Sequence, residues 1–395
     1  MKRIVLLIMA LLILVSCSFN RKQTPKSVLI SLLKKNERYT SLSYNVKFRL
    51  KYFGRKDTIA IPAYCKLIKN KKDTIFGGYL WFIDKRYNYI RYYDLDSIYF
   101  IDDSMKTITT YNNPKTEYWA ITGNTTGHVI STYFLDTSGI HKALNDTTLR
   151  DSLSIDKIGN NEYWKISIIY KDDKEITDRQ RCLWINPNDS TLKKITFHCT
   201  YQGQNEYDEW CIDSIQYDKE TPQTLKNLMK GRFLKYQIKP YTPPSPESEK
   251  TLDNGKKAPV FSGINFATGK KVSLAEYKGK VVLLDFWYMD CPWCIRAMPT
   301  IERIENEYSK KGLVVLGINS FDTTNEAKQK LPDFIKINKN IYPTILTSRS
   351  TDKVYNIHAY PTLYLINKRG EIAFSDIGYR KNLDSILEAE INKMH

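Results

Sequence analysis

Val281-Val282-Leu283-Leu284-Asp285-Phe286-Trp287-Tyr288-Met289-Asp290-Cys291-Pro292-Trp293-Cys294 is the stretch on which the fold turns. Its first six residues are an apolar run broken only by Asp285, as expected of a strand buried on both faces. Beyond it, Met298, Ile301, Ile304 and Tyr308 fall on one face of a helix predicted from about Pro292 to Lys310. A C-x-x-C between strand and helix reads as a redox motif. At a helix start the two sulfurs can reach bonding distance with the first one exposed. The partial positive charge and free N–H groups of the helix N-terminus favour Cys291 as a thiolate, the attacking species. Cys294, one turn in, is expected to be more buried and to resolve the mixed disulfide.

Three other uses of the pair compete with this one. A zinc site needs more ligands, but Cys65, Cys182, Cys199 and Cys211 contain no second C-x-x-C, and the five histidines offer no closely spaced pair. An inert structural disulfide is the bland alternative. A peroxiredoxin needs threonine or serine three residues before its reactive cysteine, where Tyr288 stands.

Around the motif the pattern is α/β. Leu313–Ile318 is a second buried strand, and a helix is expected near 324–337. Leu363–Ile366 and Glu371–Phe374 form a hairpin turning at Lys368-Arg369-Gly370, and a last helix, roughly 382–392, buries Leu383, Ile386, Leu387 and Ile391. Upstream, the proline-rich polar stretch from Pro240 to Lys250 reads as a linker.

Before the linker the periodicity is different. Residues 24–38 read as an amphipathic helix, with Thr24 as cap, Pro25 in the first turn and a stripe of Val28, Leu29, Leu32 and Leu33. Leu42, Tyr44, Val46, Phe48, Leu50 and Tyr52 then alternate with polar residues, the signature of a half-buried strand. Strands follow near 57–68, 74–84, 87–93, 96–102 and 105–111, then a mixed stretch over 124–145. They resume near 161–171, 180–186, 192–202 and 207–217. The expectation is an α+β chain of two domains: an antiparallel β-rich domain (half-barrel or sandwich) over 24–239, a linker over 240–254, and an α/β domain over 255–395. Cys199 and Cys211 lie on successive strands, and a register centred near residue 205 would set them opposite each other, within reach of a disulfide.

Residues 255–392 resemble the thioredoxin fold, and more narrowly the TlpA/ResA-like thiol-disulfide oxidoreductases. The matching residues are Lys257-Ala258-Pro259, Gly279-Lys280 leading into the quoted strand, Trp287, the cysteine pair, Pro299, and Tyr360-Pro361-Thr362-Leu363. The resemblance implies that Asp285 is the buried acid that accepts the proton of the resolving cysteine. It also implies that Pro361 is the cis-proline beside the cysteines. It implies no metal or organic cofactor, protein disulfides or dithiols as substrates, and a membrane redox partner. Two residues depart from the family pattern. Asp290 stands where tryptophan is usual, and a carboxylate beside Cys291 disfavours its thiolate; Trp293 is bulky for its place. Together they point to a reductase-like role with a potential near that of thioredoxin, about −270 mV.

The helix followed by a meander of strands resembles the LolA/LolB-like lipoprotein-carrier fold, which leaves a second reading open: a lipid- or peptide-binding protein with an accessory redox domain. At the N-terminus, Lys2 and Arg3 precede an apolar run from Ile4 to Val15, too short for a spanning helix and read as a signal peptide over 1–16. Leu14-Val15-Ser16-Cys17 resembles the bacterial lipobox. That implies an acylated Cys17, a tether over 17–23, and a chain held on a membrane in the bacterial envelope, facing the periplasm. The formal charge of +17 in 395 residues comes with no nucleic-acid motif. Most of it precedes residue 251, where lysines alternate along strands as a solvated face.

Overall fold

The computed structural model describes residues 23–394 apart from Phe53, Asn124, Gln202, 244–249 and Ile341. The expected signal segment, Cys17, nearly all of the tether and the middle of the linker lie outside the described residues. The chain divides into two compact units. One runs to Leu50 and resumes over Ile59–Tyr241; the other comprises Lys51–Thr58 and the chain from Thr242 onward.

In the first unit, α1 (Pro25–Arg38) starts at a reciprocal cap. The Ser27 N–H donates to the Thr24 hydroxyl at 3.1 Å and the Thr24 N–H donates to the Ser27 hydroxyl at 2.9 Å. Val28, Leu29 and Leu32 are buried, as the stripe requires. In β1 (Ser41–Lys51) the alternation holds at its far end, where Val46, Phe48 and Leu50 are buried between exposed Lys47 and Arg49. β2 (Ile59–Lys69), β3 (Gly78–Asp84), β4 (Tyr89–Tyr93), β5 (Ile98–Asp102) and β6 (Thr107–Tyr111) each pair antiparallel with the strand before.

The mixed stretch contains helices α2 (Thr125–Phe134) and α3 (Ser138–Asn145). Strands β7 (Arg150–Ile158), β8 (Asn161–Ile169), β9 (Ile176–Ile185), β10 (Leu192–Tyr201) and β11 (Gln204–Tyr217) follow, then α4 (Pro222–Lys235) and β12 (Gln237–Pro240). All belong to one 12-stranded sheet in the order β12-β6-β5-β4-β3-β2-β1-β11-β10-β9-β8-β7.

Three features depart from the sequence reading. β7 is an edge strand with no buried residue, and its Ile155 is 67% exposed, so no buried face imposes an alternation that could be read. α4 buries only Leu225 and Met229, too few for a helical stripe; they pack on Trp81, Ile90, Tyr92, Ile101 and Ile108 of the sheet. The Cys199–Cys211 disulfide that a register centred near residue 205 would allow does not form. The β10–β11 register sets Tyr201 opposite Gln204, Cys199 opposite Glu206 and Cys211 opposite Lys194, and no disulfide joins the two cysteines.

The second unit carries β13 (Ser262–Asn265), β14 (Lys271–Ser273), β15 (Val281–Phe286), α5 (Pro292–Tyr308), β16 (Leu313–Asn319), α6 (Asn325–Ile337) and β17 (Thr344–Leu346). Then come α7 (Arg349–Val354), β18 (Thr362–Ile366), β19 (Ile372–Ile377) and α8 (Leu383–Asn392). The sheet order is β14-β13-β17-β16-β15-β18-β19, with β15 parallel to β16 and antiparallel to β18. Every residue of β15 is buried. Val281 and Leu283 face Ala297, Ile301 and Ile304 of α5 and Leu383, Leu387 and Ile391 of α8. Val282, Leu284 and Phe286 face the opposite layer with Phe261, Tyr355 and Tyr364. Fully burying one such aliphatic side chain stabilises the fold by about 1.5–3 kcal/mol, so the doubly covered strand is the anchor of this unit. Ile386, expected in this core, is only half-buried. This is the thioredoxin-like α/β arrangement that the resemblance implied.

Candidate active site

The site is built where β15 ends. The Trp287 N–H donates to the Ile318 carbonyl at 3.1 Å, holding the chain to β16 as it leaves the sheet. Asp322 then fixes the approach to the cysteines: its carboxylate accepts the Met289 N–H at 2.8 Å and the Asn319 amide at 2.7 Å. Cys291 is the N-cap of α5, and its sulfur accepts the Cys294 N–H at 3.0 Å. Cys291 and Cys294 form a disulfide with their Cα atoms 5.2 Å apart. A sulfur placed over free helix N–H groups is where a thiolate would be stabilised.

The expectation of an exposed first cysteine needs correction. Cys291 is 2% exposed and Cys294 1%. The disulfide draws the Cys291 side chain back over the helix end, where it takes the Cys294 N–H.

Asp285 lies one residue from the end of β15, between Gly317 of β16 and Leu363 of β18, and is 1% exposed. Burial pushes its carboxyl up to about 7, and the Tyr342 hydroxyl, donating to Oδ2 at 2.8 Å, lowers it in part. Oδ1 has no partner in the structure. The carboxyl thus sits near its own midpoint at neutral pH, the tuning a proton carrier needs. The Tyr360–Pro361 peptide bond is cis. Thr362, the next residue, pairs with Phe286, so Pro361 lies at the same end of the sheet from which β15 runs on to Cys291. Asp285, Cys291, Cys294 and Pro361 therefore share one edge, whereas Cys17 lies outside the described residues.

Trp287 is fully buried and stacks on Phe334 at 5.3 Å, and a Cβ on Gly317 would come within 2.6 Å of its indole nitrogen. Packing accounts for it. Among the described residues no group of three or more His, Cys, Asp or Glu side chains is placed to hold a metal.

Several neighbours were not anticipated. Tyr342 and Asp322 come from loops without periodicity. Tyr288 stacks on Phe321 at 4.6 Å, Tyr360 sets its edge against both, and the Arg349 guanidinium lies 3.8 Å from the Phe321 ring centre. Trp293, between the two cysteines in sequence, is 51% exposed and stacks on Tyr379. Aromatic residues scattered singly in loops carry no pattern from which such a rim could be read.

Comparison with known proteins agrees with this geometry. Residues 254–375 match the AhpC/TSA family. The chain is 31% identical over 132 residues to the thioredoxin-like protein YneN of Bacillus subtilis, covering 33% of this chain and 76% of that protein. The chain belongs to the thioredoxin-like thiol-disulfide oxidoreductases. It is also 30% identical over 125 residues to the thiol-disulfide oxidoreductase ResA of Bacillus thuringiensis, across 31% of this chain and 69% of the relative. The crystallised thioredoxin domain of a thiol-disulfide oxidoreductase from Bacteroides vulgatus is 28% identical, with a TM-score of 0.32 over 35% of this chain and 97% of that one. An oxidoreductase of this family exchanges disulfides and dithiols with protein substrates.

Proposed function

We propose that Cys291 and Cys294 are the catalytic pair of a membrane-anchored envelope oxidoreductase working in the reducing direction. The Cys291 thiolate attacks a substrate disulfide. A sulfur–sulfur bond forms between Cys291 and one substrate sulfur, and the other leaves and takes a proton. Cys294 gives its proton to Asp285 and attacks the Cys291 sulfur. This releases the second substrate thiol and leaves the enzyme pair oxidised by two electrons. A dithiol on a redox partner returns them. Pro361 presents a backbone edge to the substrate strand.

The observation that carries this reading is the disulfide at the cap of α5 with a buried carboxyl at about 7 on the preceding strand. Asp290 stands directly before Cys291, and a carboxylate there gives the thiolate no extra stabilisation. The potential should therefore lie near that of thioredoxin, about −270 mV, and a value near −120 mV would contradict the direction. An insulin-reduction assay tests the activity: Cys291→Ser should reduce turnover to background, and full retention would refute the catalytic role.

The proposed anchor is an acylated Cys17, exposed by removal of residues 1–16, with residues 24–239 as a spacer domain and 240–254 as its linker. Fatty-acid labelling lost in Cys17→Ser would support this.

A further inference from the structure

Asp290 poses a chemical problem for this oxidoreductase. It precedes the attacking cysteine directly, and a carboxylate there opposes a thiolate. The structure supplies a counter-charge from a distant part of the chain. Within the second unit, the segment Lys51–Thr58 packs against the first turn of α5 and the end of α6. Gly54, at φ +75°, has no room for a side chain: a Cβ would lie 2.9 Å from Ile295, the residue after Cys294, and 2.5 Å from Asn338. The Asn338 amide donates to the Gly54 carbonyl at 2.9 Å. A backbone that can approach only as glycine is held in register with the redox helix.

The next residue is Arg55. Its side chain is only 8% exposed. Its Nε and Nη2 donate to the two Asp57 oxygens at 2.8 Å each, and Nη1 donates to the Asp290 carboxylate. The planar guanidinium is thus clamped by Asp57 on one edge and presented to Asp290 with the other, geometry that an arginine provides and a flexible ammonium does not. Around it stand Asp57, Asp290 and Asp322, with Lys330 3.9 Å from Asp57; Lys56 pairs with Asp333 at 3.5 Å farther out. Arg55 is the one cation paired with the acid that adjoins the nucleophile among the described residues.

We propose that Arg55 is a positioning residue of the redox site, which neutralises Asp290 and so keeps the Cys291 thiolate accessible at neutral pH. The proposal rests on Cys291 being the nucleophile. It adds a residue more than two hundred positions upstream to the machinery, and it explains how the family's usual tryptophan can be replaced by a carboxylate without disabling the pair.

The test uses the full chain, reduced, with iodoacetamide labelling of Cys291 followed across pH by peptide mass spectrometry. Arg55→Ala should slow labelling at neutral pH by about tenfold and move its midpoint up by about one pH unit, the size expected for an uncompensated neighbouring carboxylate. Arg55→Lys should recover the rate only in part, because an ammonium cannot fork Asp57 and reach Asp290 at once, and Asp290→Asn, in which Arg55 is still held by Asp57, should label at about the parent's rate. In an Asp290→Asn background, Arg55→Ala should have little effect. Circular dichroism confirms that each variant is folded, and Asp290→Asn reports on the pair without touching Arg55. An unmoved midpoint in folded Arg55→Ala, or an equal loss in the Asp290→Asn background, would overturn the proposal. Labelling at Cys294 instead of Cys291 would overturn the assignment of the nucleophile, a separate failure.

Discussion

The two units put the same side chain to different ends. In the β-rich unit, Cys65, Cys182 and Cys199 are buried and Cys211 half-buried, all on strands, and no disulfide joins them to one another. Burial pushes the Cys65 thiol up to about 12, and it raises that of Cys211 as well. In the thioredoxin-like unit, Cys291 and Cys294 are as deeply buried but sit at a helix N-terminus. Burial alone makes a thiol inert, and a ring of free N–H groups reverses the effect. Placement on an element, more than exposure, separates a reactive cysteine from a packing one.

The largest expected contrast follows directly. Cys291→Ser should remove insulin reduction altogether, whereas Cys65→Ser and Cys199→Ser should leave it within about twofold of the parent, since neither touches the redox pair. A comparable loss in Cys65→Ser, in a folded protein, would break the contrast.

Next in size is Asp285→Asn, which should slow turnover by about a hundredfold, the usual worth of a positioned proton carrier. The same change should stabilise the protein at high pH. The folded carboxyl is raised from 3.8 to about 7, so the folded state holds a proton that the unfolded chain has lost between those values. Stability therefore falls as pH rises from about 4 to 7 and levels off above. Asp285→Asn should remove that slope and gain a few kcal/mol, about 4 at most, at pH 8, with almost none at pH 4. Urea melts at the two pH values read this directly. Equal melts in parent and variant at pH 8 would show that the carboxyl is not raised.

Packing around the site gives a smaller effect. Gly317→Ala would press on the Trp287 indole and should cost about 1–3 kcal/mol, lowering the midpoint of urea unfolding followed by tryptophan fluorescence. The smallest is on the other side of the comparison. Thr24→Ala removes the α1 cap and should cost about 1 kcal/mol of the β-rich unit's stability with no change in redox rate.

What could be read from the chain in advance follows the same division. β15 was legible because both of its faces are buried and its residues are correspondingly apolar, and α1 because Thr24, Pro25 and the Val28–Leu32 stripe agree. The placement of Cys291 and Cys294 at a helix start was legible from their spacing after a buried strand, whereas Asp285 and Pro361 were reached only through the family resemblance. β7 was not, since an edge with no buried face needs no hydrophobic alternation. The Cys199–Cys211 expectation failed on register: the shift of the hairpin centre from residue 205 toward Tyr201–Gln204 separated the two along the ladder. Tyr342, Asp322 and Arg55 escaped because their role depends on where loops far apart in sequence meet, and loops carry no period.

In the proposed mechanism Cys291 attacks and Cys294 resolves. A Cys294→Ala variant tests it most directly, with captured proteins mapped by mass spectrometry. Mixed disulfides should accumulate on Cys291 and be released by dithiothreitol. Adducts on the cysteines of the β-rich unit, or none from a folded and reduced variant, would contradict it.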